Sequence, residues 1–387
     1  ILRRITFPVV APAFVAALIL TFGKTIGQFA LPFLLGAPTQ FHTVATMIYA
    51  NLALGLDSMA YVLAVILIAM SLLSIWLSNR FIKKKSARFE TISGKGFRSR
   101  EIDLGDWRWF VFGVVSLFGF TVGILPLILL GIQSVMLIDG FYGFENLTSH
   151  FWIGKSNLDI AGGEPGVIHN KIILGATWNT LKLAFLSAVI AAVIGIVIAY
   201  IAVRRSNNPL AILLDQIAFV PFLFPTIAFG AMYLTLFAVP VGPIPALYGT
   251  FTLLVLISVV SRLPYSVKTG ITAVTQIGQE LEEAAEVAGA SWWQRFRRII
   301  MPLASSGIMS GMMVSFVGVM RELSLIILLI TPATRVLMTA GFGYAEEGFT
   351  QLTNALVLIV ALLTIIGELI LWKIGKGRMA RLREKQS

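Results

Sequence analysis

Cysteine is absent from the 387 residues, histidine occurs three times, and charged residues make up only 13%. Without thiols there is no disulfide and no thiolate metal site. A soluble domain carries about 25% charged residues. The deficit, with 57% hydrophobic residues and a mean hydropathy of +0.87, rules out disorder and argues against a soluble globular fold. Acids are scarcer than bases: 19 Asp+Glu face 30 Lys+Arg, a formal +11. In a chain this apolar, such an excess marks basic loops kept on one side of a membrane rather than a nucleic-acid surface. The chain opens at Ile1 without an initiator Met or a signal peptide, and is expected to continue a longer sequence.

What is abundant is apolar runs long enough to span a bilayer, about 20 residues each. Eight candidate spans are expected, at roughly 9–35, 57–78, 109–135, 178–203, 211–237, 247–266, 304–330 and 352–374. With this count the basic residues fall on one face. They are Arg3 and Arg4, the nine basic residues of 79–108 against four acids, Arg204 and Arg205, Arg295, Arg297 and Arg298, and the tail from Lys373 to Lys385. The opposite loop 136–177 carries Asp139, Glu145, Asp159 and Glu164 against Lys155 and Lys171. The positive-inside rule then places both ends of the chain in the cytoplasm. Trp107, Trp109, Trp292, Trp293 and Trp372 fall at the cytoplasmic borders, and Tyr142, Trp152 and Trp178 at the outer ones, as in an aromatic belt.

An internal repeat organises the spans. Residues 1–38 align without gaps on 295–332, with nine identities that include Arg3-Arg4-Ile5, Pro8 and Pro38 facing Arg297-Arg298-Ile299, Pro302 and Pro332. The expected layout is therefore the last two spans of a first half (1–78), a basic cytoplasmic linker (79–108) and a complete second half of six spans (109–387). About 190 residues of the first half are expected upstream, judged from the second half's layout. Both copies start on one face, which makes this a parallel repeat of the transporter kind.

The cytoplasmic loop 267–303 holds the most specific pattern, QELEEAAEVAGASWWQRFRRIIMPL from Gln279 to Leu303. Leu281, Ala284, Ala285 and Ala288 share one helical face, and Glu282, Glu283 and Glu286 occupy the others. Gly289 suits the C′ position of that helix. Ser291 and Gln294 form an S-x-x-Q capping box that starts a second helix. The spacing Glu283-Ala284-Ala285, Gly289, Ile299-Ile300-Met301-Pro302 resembles the EAA loop of permease subunits of binding-protein-dependent ABC importers, whose pattern ends Ile-x-Leu-Pro; Met301 for Leu is the single departure. The similarity is strongest to the fused two-half permeases of the ferric-iron type, with Arg262-Leu263-Pro264-Tyr265 and Arg321-Glu322-Leu323-Ser324 as further support. Relatives of that subgroup handle polyamines, thiamine, organophosphonates or sugar phosphates.

This resemblance implies an all-α membrane protein with the type I ABC importer permease fold, in a bacterial inner membrane. It implies a coupling loop in which Glu283, Ala284, Ala285, Gly289, Ile299 and Pro302 meet a separate ATP-binding subunit. The implied partners are two such subunits, an extracytoplasmic solute-binding protein and membrane lipid, with no nucleic acid. ATP and Mg belong to the partner, so the chain is a transport subunit rather than an enzyme and has no cofactor or metal of its own. The loop 136–177 is the expected contact for the binding protein.

Intramembrane charge is the second kind of signal, because charges within spans face cavities or each other. Arg321, Glu322 and Ser324 are the candidate pathway residues, with Gln28 at the position equivalent to Glu322 in the first copy. About 19 residues past Pro302, at roughly 1.5 Å each, Arg321 and Glu322 are expected near the outer interface. An interfacial ion pair would explain them as well as a pathway does. Pro221, Pro225 and Gly230 suggest a kinked span, lining the pathway or merely packed. Asp215 and Glu368 are expected near helix ends. Gly23-Lys24-Thr25 lacks the earlier glycine of a phosphate-binding loop, since position 18 is Leu18. His42, His150 and His169 are scattered over outer loops without ligand spacing. An ion-coupled secondary transporter needs ionisable groups at mid-membrane, and a membrane enzyme needs a convergent acid, base or metal set. The sequence offers few candidates for either.

Overall fold

The computed structural model describes Phe14, Leu18 and residues 21–23, 25–86, 105–240, 242–243 and 245–384. Residues 3–8 of the first repeat copy, Lys24, the stretch 87–104 of the basic segment and Lys385 lie outside the described residues. Helices follow one another: α1 (Ala30–Gly36), α2 (Val44–Ala53), α3 (Asp57–Ser86), α4 (Trp107–Gln133), α5 (Lys171–Arg204), α6 (Pro209–Leu223), α7 (Thr226–Phe237), α8 (Phe251–Thr275), α9 (Glu280–Val287), α10 (Trp292–Leu303), α11 (Ser305–Met320), α12 (Leu337–Glu346) and α13 (Thr350–Glu384). Among the described residues β pairing is limited to one bridge, Met136 to Leu147. The fold is an all-α, multi-pass membrane protein.

Among the described residues five helices are long and apolar enough to cross a bilayer, and the crossings rise to seven if the bent pairs α6–α7 and α10–α11 each form one span. Three of the expected spans are bent or interrupted, the one at 211–237 in the region where its prolines suggested a kink. The span at 211–237 bends by 107° between α6 and α7. Phe224 precedes Pro225, and the proline ring pushes the residue before it out of the helical region; Phe224 accordingly has ψ 138°. The span at 304–330 is bent by 70° at its start and leaves the helix after Met320. Pro302 lacks the N–H that would close on Arg298, and the turn before it, Phe296–Ile300, widens to a π-turn. The span at 9–35 is interrupted at 26–29, ahead of α1.

The sequence repeat reappears in the helix starts. α2 and α3 begin at Val44 and Asp57, and α12 and α13 begin at Leu337 and Thr350, so both pairs are 293 residues apart. That is one residue from the offset of the aligned copies. The two copies also pack together: the ring of Phe342 lies 5.3 Å from Phe29, 5.1 Å from Phe33 and 5.8 Å from Tyr49.

The chain forms two compact units. One holds the described parts of Ile26–Leu72, Lys171–Gly343 and Ile359–Ser387. Its centre is the trio α5, α8 and α11, with Leu183, Ala188, Leu253, Ile257, Phe316 and Met320 buried among them. In lipid, small residues drive such packing because they let backbones approach. Ala184, Ala188, Ala191, Gly195 and Ala199 form that stripe on α5, and all are buried. A Cβ at Gly195 would meet Ser266 Cβ at 2.6 Å. Gly195→Val is therefore expected to cost about 1–3 kcal/mol through overpacking, read as a lower unfolding midpoint in detergent. Gly175→Val on the same helix, where a Cβ meets nothing within 4 Å, should leave the midpoint unchanged.

The other unit holds the described parts of Ile1–Thr25, Leu73–Asn170 and Tyr344–Leu358. Asn146 organises the loop after α4: its amide donates to the carbonyls of Ile138 and Phe141, both at 2.7 Å. A polar cluster closes the unit. Asn170 Nδ2 donates to Glu164 Oε2 at 2.9 Å and to Tyr344 Oη at 2.8 Å, and Tyr344 donates to the same carboxylate at 3.1 Å. Burial pushes the Tyr344 phenol up to about 12 from 10.0. Its contribution to stability is full below the unfolded value and is lost as pH rises through the folded one.

Candidate functional site

Helices α9 and α10 stand between α8 and α11 in the chain. Acids at Glu280, Glu282 and Glu283 occupy the first turn of α9, where they complement the partial positive charge of a helix N-terminus. Its far end is a Schellman motif. Gly289 has φ 83°, its N–H donates to Glu286 O at 2.9 Å, and the Ala290 N–H donates to Ala285 O at 2.9 Å. The expected capping box is formed: the Ser291 N–H donates to Gln294 Oε1 at 2.8 Å, and the Gln294 N–H donates to Ser291 Oγ at 3.4 Å. Arg295 and Glu286 form an ion pair across the elbow. The result is a helix, a glycine elbow and a second helix held in one geometry.

The small-residue face of α9 points outward. Glu283, Ala284, Ala288 and Gly289 are exposed, Ala285 is half-buried, and Val287 is 91% exposed. Ile299 is half-buried, and Pro302 opens the last turn of α10. One residue goes the other way. Glu282 is 5% exposed; it accepts hydrogen bonds from Tyr200 Oη at 2.7 Å and Arg204 Nε at 2.6 Å. Sequence reasoning missed this role, having placed Glu282 among the acids of the polar faces and Arg204 among the orientation signals. Residues 78 apart give no local signal of such a pair.

The candidate pathway residues separate. Glu322 is paired with Arg262 of α8, and its other oxygen accepts from the Leu325 N–H at 3.2 Å. The helix has already ended at Met320, and residues 321–330 continue as irregular backbone. Non-helical backbone at membrane depth is tolerated when buried in protein, and Leu323, Ser324, Leu325 and Ile326 are buried. Arg262 lies 11 residues into α8, roughly 16 Å from its start at about 1.5 Å per residue. Glu322 therefore sits beside the middle of α8, and the continuous helix assumed from hydropathy does not exist. Arg321 is exposed instead, on the wall of a groove of about 650 Å³ between α11 and α13, lined by Ser306, Met309, Met313, Val317 and Glu368. Glu368, expected near a helix end, lies well inside α13. Gln28 is exposed.

Asp215 accepts from Lys268 Nζ at 3.1 Å. Among the described residues no group of three His, Asp or Glu side chains comes together as a metal site. His150 Nε2 lies 3.3 Å from Glu164 O, and His169 is exposed.

The described structure is a bundle of long apolar helices that carries a helix–elbow–helix between α8 and α11. Residues 191–373, a range containing the α9–α10 loop, match the family of binding-protein-dependent transport system inner membrane components. The chain belongs to this family, the permeases of ABC importers. It is 27% identical over 394 residues to the ferric transport system permease protein FbpB of Actinobacillus pleuropneumoniae, covering 99% of this chain and 54% of that protein. It is 30% identical over 222 residues to a "Probable sulfate transport system permease protein cysT" of Anthoceros angustus, covering 54% of this chain and 77% of the relative. The chain spans about half the length of the ferric permeases it matches. Among solved structures, a bacterial ABC transporter that imports the acidic polysaccharide alginate superposes with a TM-score of 0.55 at 16% identity, covering 70% of this chain and 96% of that one. That likeness concerns the fold.

Proposed function

We propose that this chain couples ATP hydrolysis in a partner subunit to uptake of a solute, with α9 as the helix that the partner grips. The observation that carries the reading is the outward small-residue face of α9 beside the Gly289 elbow. Glu283, Ala284, Ala285 and Gly289 form the docking surface, and Ile299 and Pro302 set the start of the following span. The basic face, which carries Arg204 and α9–α10, is the cytoplasmic side of a bacterial inner membrane, and both chain ends lie there. ATP and Mg sit in the partner. The two repeat copies belong to two halves, so that a whole permease offers two such loops to two ATP-binding subunits, while a solute-binding protein docks on the opposite face.

Ferric iron or a related small solute is the cargo, as the ferric permeases among the relatives suggest. Of the pathway candidates, Arg321 is best placed, since it faces open space beside Glu368, whereas Glu322 is engaged by Arg262. The test is reconstitution of the whole permease with its cognate ATP-binding subunit and binding protein. Expected are co-purification of the ATPase, stimulation of its activity by the loaded binding protein, and ATP-dependent uptake of ferric iron in preference to sulfate. Uptake driven by an ion gradient without any ATPase would mark a secondary transporter and overturn the reading.

A further inference from the structure

A two-turn helix does not hold itself together in water, so something must fix α9 to the bundle. Its apolar residues do not: Leu281 is half exposed, and Ala284, Val287 and Ala288 face outward. Glu282 is the buried residue of α9. A buried carboxylate persists only when paired and hydrogen-bonded, and both conditions are met. Arg204 Nε and Tyr200 Oη occupy its two oxygens.

These partners stand at the end of α5, the 34-residue helix at the centre of the bundle. The guanidinium of Arg204 does more than neutralise Glu282. Its second nitrogen donates to Ile277 O at 2.9 Å, in the connection between α8 and α9. The Tyr200 ring lies 5.4 Å from Phe296 and 6.1 Å from Trp292 of α10. One side-chain cluster thus joins α9, α10, the end of α8 and the end of α5. Along the backbone, a push on α9 reaches only α8 and α10; through Glu282 it reaches α5 directly.

We propose that Glu282 is a positioning residue for energy coupling: its grip by Arg204 and Tyr200 makes α9 and α5 move as one body when the ATP-binding subunit closes. This rests on the docking role of α9 proposed above, but Glu282 itself lies on the side turned away from the docking face.

The test compares the parental permease with Glu282→Ala, Glu282→Gln and the charge swap Glu282→Arg with Arg204→Glu. Each is purified with the ATP-binding subunit and reconstituted with the binding protein. The readouts are ATPase retained, ATP hydrolysed and solute imported per ATP. Expected for Glu282→Ala is normal ATPase retention with solute imported per ATP reduced about tenfold, the factor that a lost charged hydrogen bond commands. Glu282→Gln, which keeps a hydrogen-bonding carbonyl, should fall between, and the swap should recover most of the ratio. A purely structural residue would lower yield without changing the ratio in the protein that remains. An unchanged ratio in Glu282→Ala overturns the proposal, as does loss of the ATPase that the swap does not restore. If the parental permease itself retains no ATPase, the docking role fails instead, and that outcome is distinguishable from both.

Discussion

Replacing Gly289 with valine is expected to weaken retention of the ATP-binding subunit by tenfold or more, with membrane insertion unchanged. The strain is confined to the backbone. A Cβ at this position would meet nothing within 4 Å, but φ is 83°. An L residue held in the left-handed region costs roughly 1–2 kcal/mol, and a β-branched one is the least tolerant of it. Relaxing φ breaks the bonds from Ala290 to Ala285 and from Gly289 to Glu286, so the end of α9 frays and the elbow opens. A cost of about 1.4 kcal/mol on the docked geometry is tenfold in affinity. Asparagine visits the left-handed region more readily, so Gly289→Asn should keep most of the retention. Co-purification from detergent extracts checks both variants. Valine and asparagine behaving alike would show that the elbow plays no part in docking.

Glu322→Ala is expected to be the most destabilising single change in the span region. It leaves Arg262 in the bundle without its carboxylate, and Arg262 Nε already has no hydrogen-bond partner among the described residues. The pair is partly buried, so removing one member costs up to about 3–5 kcal/mol, whereas replacing both by apolar residues is often neutral. The unfolding midpoint of Glu322→Ala should therefore fall sharply and uptake with it, while Arg262→Met combined with Glu322→Leu should recover much of both. Thermal unfolding in detergent and uptake in proteoliposomes measure the two effects separately. Stability that returns without uptake would assign the pair to the solute pathway rather than to the fold.

Much of the architecture was legible because hydropathy, charge and capping act locally. α4, α5, α8 and α13 match expected apolar runs, except where the helix extends past the bilayer segment, as α5 does to Lys171, α8 to Thr275 and α13 to Glu384. The α9–α10 elbow was readable for the same reason: Gly289, Ser291 and Gln294 determine backbone conformation from within their own turns. The repeat was visible in Arg297-Arg298-Ile299 and Pro302, and its offset returns in the helix starts.

The sequence by itself determined the class of fold, the elbow and its glycine, and the preference of basic loops for one face, since each depends on neighbours a few positions away. Only the tertiary structure decided what the intramembrane and near-membrane charges do. It set Glu322 on Arg262 and Glu282 on Arg204 and Tyr200, and it left Arg321 facing a groove. A charge buried in apolar surroundings must find its counter-charge wherever packing brings one, and packing joins residues that stand 60 or 78 positions apart in the chain.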